Sequence, residues 1–460
     1  MFPHFSDLFN TLSRQLTVLY TQGYDITDLS AQLEALPDSY DAIHSFAKEI
    51  VSSISKRPDY PYNEPDSLAD ILFESPNRKK IIKKPSNSGY SLRDRIAGAV
   101  HGRIAGCILG KPFEMGLKLP EIRTYLKGTG NWMLTDFVPD YSPTQTRNLR
   151  RDCLESMKGH IQYAQEDDDI NYFVVGLLVL EQYGSSFSSS DVARMWLKCL
   201  PYNWCWGSER EFYCRLTSLY PDQEQELILP ENQELLQFTS LFNTGEEMIG
   251  AMIRADAYGL ANPGNPEKAA KTAWCDAIMT HKKTGLYASM WVAGTIAAAL
   301  YLDNPIEAIE CGLEQIPANS RFAECVRTSL AWALADKDWL NTWEKIEERW
   351  GYLGHAGTMN ETAAIVNALV HSIGESGQVE FQKAICITVM QGYDTDCSGA
   401  TAGCIAGALI GLSQLPNRWI KPFNDTFYSS VAGYRGTSII ELSERMYAVS
   451  EKNDDFNVIG

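Results

Sequence analysis

The sequence has no basic footprint: 40 lysines and arginines face 58 aspartates and glutamates, a formal net charge of −18 over 460 residues. Neutralising phosphates needs clustered positive charge, so nucleic acid is excluded as the main partner. No Cys-x-x-Cys pair occurs, and the eleven cysteines are scattered and odd in number. That argues against a disulfide framework and for a reducing compartment, with most thiols acting as small core hydrophobes. The opening Met1-Phe2-Pro3-His4-Phe5-Ser6-Asp7 has no basic stretch leading into an apolar run, so no secretory signal is expected. The longest uncharged apolar stretch, about Leu286 to Leu302, is short for a membrane span and contains Ser289 and Thr295. A cytoplasmic protein without a membrane partner is the expectation. Few segments alternate with period two, and no fixed-period repeat is visible, which argues against sheet-based and solenoid folds. The seven histidines show no His-x-x-x-His spacing, which removes the commonest zinc pattern.

What is present is helical periodicity, in a chain whose 45% hydrophobic and 21% charged residues are ordinary for a globular protein with a sizeable core. Residues 1 to about 55 read as two or three amphipathic helices, with Leu8, Phe9, Leu12, Leu16 and Tyr20 on one face and Ile43, Phe46 and Ile50 on another. Between Lys56 and Gly89 the chain carries Pro58, Pro61, Pro65, Pro76 and Pro85, several serines and the basic run Arg78-Lys79-Lys80. This reads as a linker or overlying arm with one apolar turn at Leu68-Ile71-Leu72. From Ser91 helix signals repeat. Ser188-x-x-Asp191 resembles a capping box and Thr358-x-x-Glu361 is a full one. The alanine- and glycine-rich segments 286–302, 322–335, 361–373 and 400–412 predict helices buried on most faces. The expected architecture is all-α: a helical extension and Pro/Ser-rich linker over 1–90, a compact multi-helix domain over 91–445, and a tail over 446–460.

Three segments carry chemistry. In Gly98-x(3)-Gly102-x(3)-Gly106-x(3)-Gly110-x(3)-Glu114, glycines recur every four residues on one helix face, where another helix can approach closely. That contact explains the glycines by itself. Glu114 lies beyond Pro112, where the chain leaves the helix and a carboxylate can project into a cleft. The second segment, Glu166-Asp167-Asp168-Asp169, precedes an apolar helix. One or two acids there are favoured by capping and the helix dipole, by roughly 0.3–1 kcal/mol each. Four in a row repel one another, and a divalent cation relieves the repulsion. A solvated, over-charged cap is the competing explanation. The third segment, Asp394-Thr395-Asp396-Cys397, leads into a helix of small residues. In an extended lead-in, positions i and i+2 point the same way, so both acids can face one ion. Hard oxygen ligands of this kind suit magnesium or manganese.

In order and spacing these segments resemble the ADP-ribosylglycohydrolase family, which includes dinitrogen reductase-activating glycohydrolases and ADP-ribosyl-acceptor hydrolases. The family opens on the same glycine run ending in Glu. It continues with Thr-Asp-Asp-Thr at a helix start, resembled by Glu166 to Asp169, and a central Thr-His, matched by Thr280-His281. It closes with Asp-x-Asp-Thr, matched by Asp394 to Cys397, and a later Pro-x-x-Trp, matched by Pro416 and Trp419. The likeness spans roughly residues 91 to 445. Both threonines of the first motif are acids here, and Cys397 stands where a hydroxyl is usual. The family's Gly-Asn-Gly-x-Ala-Met-Arg segment is echoed by Ile249 to Arg254 without its asparagine.

The resemblance implies a compact all-α hydrolase with two divalent cations, magnesium or manganese, acting on an ADP-ribosylated protein or a small ADP-ribose conjugate. Carried over by position, Asp167, Asp168, Asp394 and Asp396 are metal ligands, and Glu166 and Cys397 are extra ones. Glu114 is an acid/base or gate, with Asp168 and Asp396 beside the reacting centre. His281, Arg254 and Asp256 are expected at the substrate. Two rival readings stay open. One is a catalytically inactive relative, since the family includes lens crystallins. The other is a metal-independent all-α carbohydrate hydrolase using Glu114 with an aspartate.

Overall fold

Two helices with a glycine every fourth residue form the centre of the molecule. In the computed structural model, which describes residues 5–75, 77–78, 81–86, 89–219, 227–230 and 232–454, they are Leu92–Gly110 and Thr395–Ile410. They run antiparallel in direct backbone contact. A Cβ on Gly98 would sit 2.5 Å from Gly407 O, one on Gly102 2.2 Å from Gly403 O, and one on Gly106 1.9 Å from Gly399 O. No larger side chain fits between these backbones. Both helices are almost wholly buried, and the other helices wrap them.

The described residues are 63% helical, in 21 helices with one two-stranded ladder, so the fold is all-α as expected. The ladder pairs Thr426–Tyr428 antiparallel with Arg435–Ser438, with Thr426 opposite Ser438 and a register shift before Tyr428. The apolar segments read from the sequence appear as Lys283–Ala299, Arg321–Ala335 and Thr358–His371, besides the second glycine helix. No described helix is long and apolar enough to cross a membrane.

The extension forms three helices, Phe5–Thr21, Leu29–Glu34 and Tyr40–Ser53. Their apolar faces close a small separate core of Leu12, Leu16, Leu19, Leu33, Ile43, Phe46, Ala47 and Ile50. The linker's apolar turn is the helix Leu68–Phe73, started by Ser67, whose Oγ accepts from Asp70 N–H at 3.2 Å. It delivers fully buried Ile71 to the main core, a contribution of about 1.5–3 kcal/mol. Pro76, Lys79 and Lys80 of the linker and basic run lie outside the described residues.

Two local expectations change. The Ser188–Asp191 capping box forms, with both reciprocal bonds present. The one expected at Thr358–Glu361 does not: the helix starts after Gly357, and Thr358 Oγ1 donates to Glu247 O at 3.1 Å. Glu361 is drawn elsewhere, accepting from Asp394 N–H at 2.8 Å. The C-terminal helix Ile439–Asp454 runs through position 446 rather than ending before it, because Met446 and Val449 are buried on its inner face. Residues 455–460 of the expected tail lie outside the described residues.

Candidate metal centre

The glycine pairing decides which side chains meet. Its last step sets Gly110 against Thr395, where a Cβ would come within 2.0 Å of Thr395 O, and Thr395 Oγ1 donates to Gly110 O at 2.7 Å. The end of one helix is thereby joined to the start of the other. A 3-10 turn at Lys111–Phe113, carrying Pro112, then turns Glu114 back over Asp394 and Asp396. The lead-in to Asp394 needs Gly392 at φ +88°, where a Cβ would lie 2.3 Å from Leu117 O.

The first acidic motif enters from the helix Asp168–Tyr183. Asp167 is its N-cap, accepting from Asp169 N–H at 3.1 Å through Oδ1 and from the Lys111 ammonium at 2.6 Å through Oδ2. Asp168 faces a cavity. Asp169 points inward to Arg103 Nη2 at 2.9 Å. Three ligand atoms, one each from Glu114, Asp167 and Asp396, lie within 4.8 Å of one another; so do three from Asp169, Asp396 and Cys397. Asp396 belongs to both sets.

This cluster is electrostatically unsatisfied. Glu114 Oε2, Asp169 Oδ2, Glu361 Oε2 and Asp396 Oδ1 are buried without a hydrogen-bond partner. Burial and the neighbouring carboxylates, Asp396 and Asp167 foremost, push the Glu114 pKa far up. Burial and mutual repulsion likewise raise Asp168 and Asp394, and burial with Asp396 nearby raises Asp169 and Glu361. Asp167 is the exception: burial works to raise it, but Lys111 and Arg150 outweigh burial and hold it below the usual carboxylate range. Seven carboxylates (Glu114, Asp167, Asp168, Asp169, Glu361, Asp394, Asp396) face three cationic side chains. Those are Lys111, Arg103 and Arg150, the last paired with Glu114 and 3.9 Å from Asp167. Arg103 and Arg150 are shared with Asp256 and Asp152 as well, so negative charge stays in excess, and divalent cations would offset it while filling the orphaned oxygens. The residues therefore fit divalent cation binding through hard oxygen ligands.

A cavity of about 480 Å³ opens onto the cluster, a size suited to a small-molecule ligand. Glu114, Asp168, Asp394, Asp396 and Cys397 form its acidic end; Tyr172, Trp206, Met248, Ile249 and Ile253 form a mainly apolar wall. Glu209 faces it too, and burial raises its pKa despite the Arg254 guanidinium 2.5 Å away. His355 Nε2 stands 3.7 Å from Asp394.

Four expected site residues lie away from this cavity. Glu166 turns aside, accepting from Ser430 Oγ at 3.1 Å. Arg254 is buried behind Glu209, bonded also to Asp276 at 2.6 Å and to Thr280 Oγ1 at 2.9 Å. His281 is fully buried beside Thr280, 2.7 Å from its hydroxyl, and burial with Arg254 nearby drives its pKa well down. Asp256 pairs with Arg103 at 2.5 Å within the core. Sequence reasoning missed Glu361, Lys111, Arg150 and Glu209. Lys111 sits inside the quoted glycine segment and was available to it; Glu361 was hidden by its apparent capping role, and Arg150 and Glu209 lie in no motif.

The ADP-ribosylglycohydrolase family model matches residues 88–455, taking in the glycine run and both acidic motifs. A solved structure described as an ADP-ribosylglycohydrolase-related protein complex is 19% identical, with a TM-score of 0.45, over 78% of this chain and 99% of that one. No curated protein matches the sequence. With the match spanning most of its length, the chain belongs to the ADP-ribosylglycohydrolase family.

Proposed function

We propose that this protein is a metal-dependent hydrolase that cleaves the glycosidic bond between ADP-ribose and an acceptor, either a protein side chain or a small molecule. The observation that carries the reading is the set of orphaned carboxylate oxygens gathered where a ligand-sized cavity ends. Asp167, Asp168, Asp394 and Asp396 would hold two cations, magnesium or manganese, with Glu361 and Cys397 able to complete the set. When bound, the cations supply positive charge that fixes sugar hydroxyls and offsets charge developing as the anomeric bond lengthens. Glu114, turned over Asp396 at the acidic end of the cavity, is placed to hand a proton to the departing acceptor. Asp168, at the cavity surface, is placed to orient the attacking water and take its proton. Glu209 and the apolar wall bind and orient the ligand. The setting we assign is cytoplasmic, supported by eleven cysteines that are all free thiols.

The test is release of ADP-ribose from arginine- and serine-linked conjugates with magnesium or manganese. Release that chelation and Asp168→Asn both abolish supports hydrolysis; no release with either metal on either linkage overturns it. A second reading, a relative that binds ADP-ribose without turning it over, is favoured by one observation: Arg150 and Lys111 already neutralise Glu114 and Asp167. It predicts ligand binding without release.

A further inference from the structure

The cavity wall Met248-Ile249-Gly250 is reached from behind by the N-terminal extension. Gln22 donates from Nε2 to Oε1 of buried Glu246 at 2.7 Å. Gln15 donates to Ser240 O, and Leu241 and Phe242 pack onto the extension's own core. The linker grips the same wall from a second direction. Glu64, 4% exposed, accepts from Arg321 Nε at 3.0 Å, from Arg321 Nη2 at 2.8 Å and from the Tyr60 hydroxyl at 2.7 Å. Arg321 Nη2 also donates to Glu247 Oε1 at 2.6 Å. Glu247 accepts in addition from Thr284 Oγ1 at 3.0 Å, and its carbonyl accepts from Thr358 Oγ1. Two residues beyond Glu64, Asp66 pairs with buried Lys283 at 2.7 Å.

We propose that the extension and linker brace the substrate cavity from outside, with Glu64 as a positioning residue that sets the Glu246–Gly250 wall through Arg321 and Glu247. One guanidinium is shared by two carboxylates, one from the linker and one immediately before the wall. Removing the linker carboxylate leaves a mostly buried cation with a single partner, and the shared geometry that holds Glu247 is lost. The aspartates of the acidic end stand on other elements, the starts of helices Asp168–Tyr183 and Thr395–Ile410, and none of the Glu64 bonds reaches them. Glu361 shares a helix with Thr358, which bonds the Glu247 carbonyl and not the carboxylate that Arg321 holds. Ligand affinity and wall order therefore depend on Glu64, and cation binding does not. Only the ligand arm of the test rests on the proposed function.

The experiment compares hydrogen exchange in the full-length wild type, Glu64→Gln and Glu64→Asp, with manganese binding and ADP-ribose binding measured alongside. In Glu64→Gln, exchange over 245–250 should quicken at least tenfold while the Thr395–Ile410 helix stays protected, and Glu64→Asp should recover part of the protection. Manganese affinity should be unchanged and the ADP-ribose dissociation constant at least fivefold higher. Unchanged exchange over 245–250, or equal loosening of the Thr395–Ile410 helix, overturns the proposal. Should Glu64→Gln fail to fold, Arg321→Lys keeps the charge but cannot bridge both carboxylates, and the same readouts decide. A wild type that binds no ADP-ribose refutes the substrate reading, and the exchange data still settle the role of Glu64.

Discussion

At the residue scale, Asp396 is the most consequential side chain, since both three-ligand groupings share it and its Oδ1 has no partner. Asp396→Asn is expected to weaken manganese binding by two orders of magnitude or more while leaving the helical circular dichroism unchanged. An asparagine keeps the shape and removes the charge, so a titration checks this directly. Cys397 departs from the usual hydroxyl yet lies within ligand distance of Asp169 and Asp396. Burial and the surrounding aspartates, Asp169 first, push its thiol pKa well up, so it becomes a thiolate only against a metal. A cobalt titration should therefore give a thiolate charge-transfer band in the wild type and none in Cys397→Ser. A band in both proteins, or in neither, removes Cys397 from the ligand set.

The same scale shows where sequence reading stops. Asp394, Asp396, Asp168 and Glu114, which the fold brings to one cavity, could be singled out in the sequence because motif spacing marks helix boundaries, the aspartates at starts and Glu114 past an end. Arg254, His281 and Asp256 were assigned to the substrate, yet they lie in ion networks below the cavity floor. Residue type reveals chemistry but not facing. Arg103 and Asp256 are 153 positions apart, and nothing in either neighbourhood announces the pair. Glu361 was read as a cap because a capping box and a helix-start ligand share one spelling.

At the element scale, the glycine pair is the device that fixes the site. Its four-residue spacing was legible from the sequence on one helix and implicit in the small residues of the other; the partnership between them was not. A Cβ at Gly106 would lie 1.9 Å from Gly399 O, a backbone atom that cannot swing aside. Gly106→Ala is therefore expected to cost about 3 kcal/mol or more in chemical denaturation. Manganese affinity should fall with it, because separating the helices parts Glu114 from Asp396. The surface substitution Lys48→Ala, on the exposed face of helix Tyr40–Ser53 and remote from the pair, should change neither by more than about 0.5 kcal/mol.

At the scale of the whole molecule, the all-α class and the helical extension were legible from periodicity. The joining of extension to domain was not, because it rests on Glu64, Asp66 and Gln22 meeting residues more than two hundred positions away. The acidic centre also has a global consequence. Folded-state pKa values raised above the ordinary carboxyl range mean that the metal-free folded protein keeps protons the unfolded chain releases above about pH 4 to 4.5. Stability of the metal-free protein should then fall as pH rises from there through neutrality. Cations replace those protons, so the gain in Tm on adding manganese should grow between about pH 5.5 and 8. A gain that shrinks over that range contradicts the assignment of these carboxylates to metal.

The central claim is that two cations join the acidic motifs into one centre. Manganese binding by the intact, chelator-stripped protein, counted per chain by isothermal titration with the site read from anomalous scattering, tests it most directly. The account predicts two ions held between Asp167, Asp168, Asp394 and Asp396, within reach of Glu361 and Cys397. No bound ion, or ions held anywhere other than between these carboxylates, would contradict it.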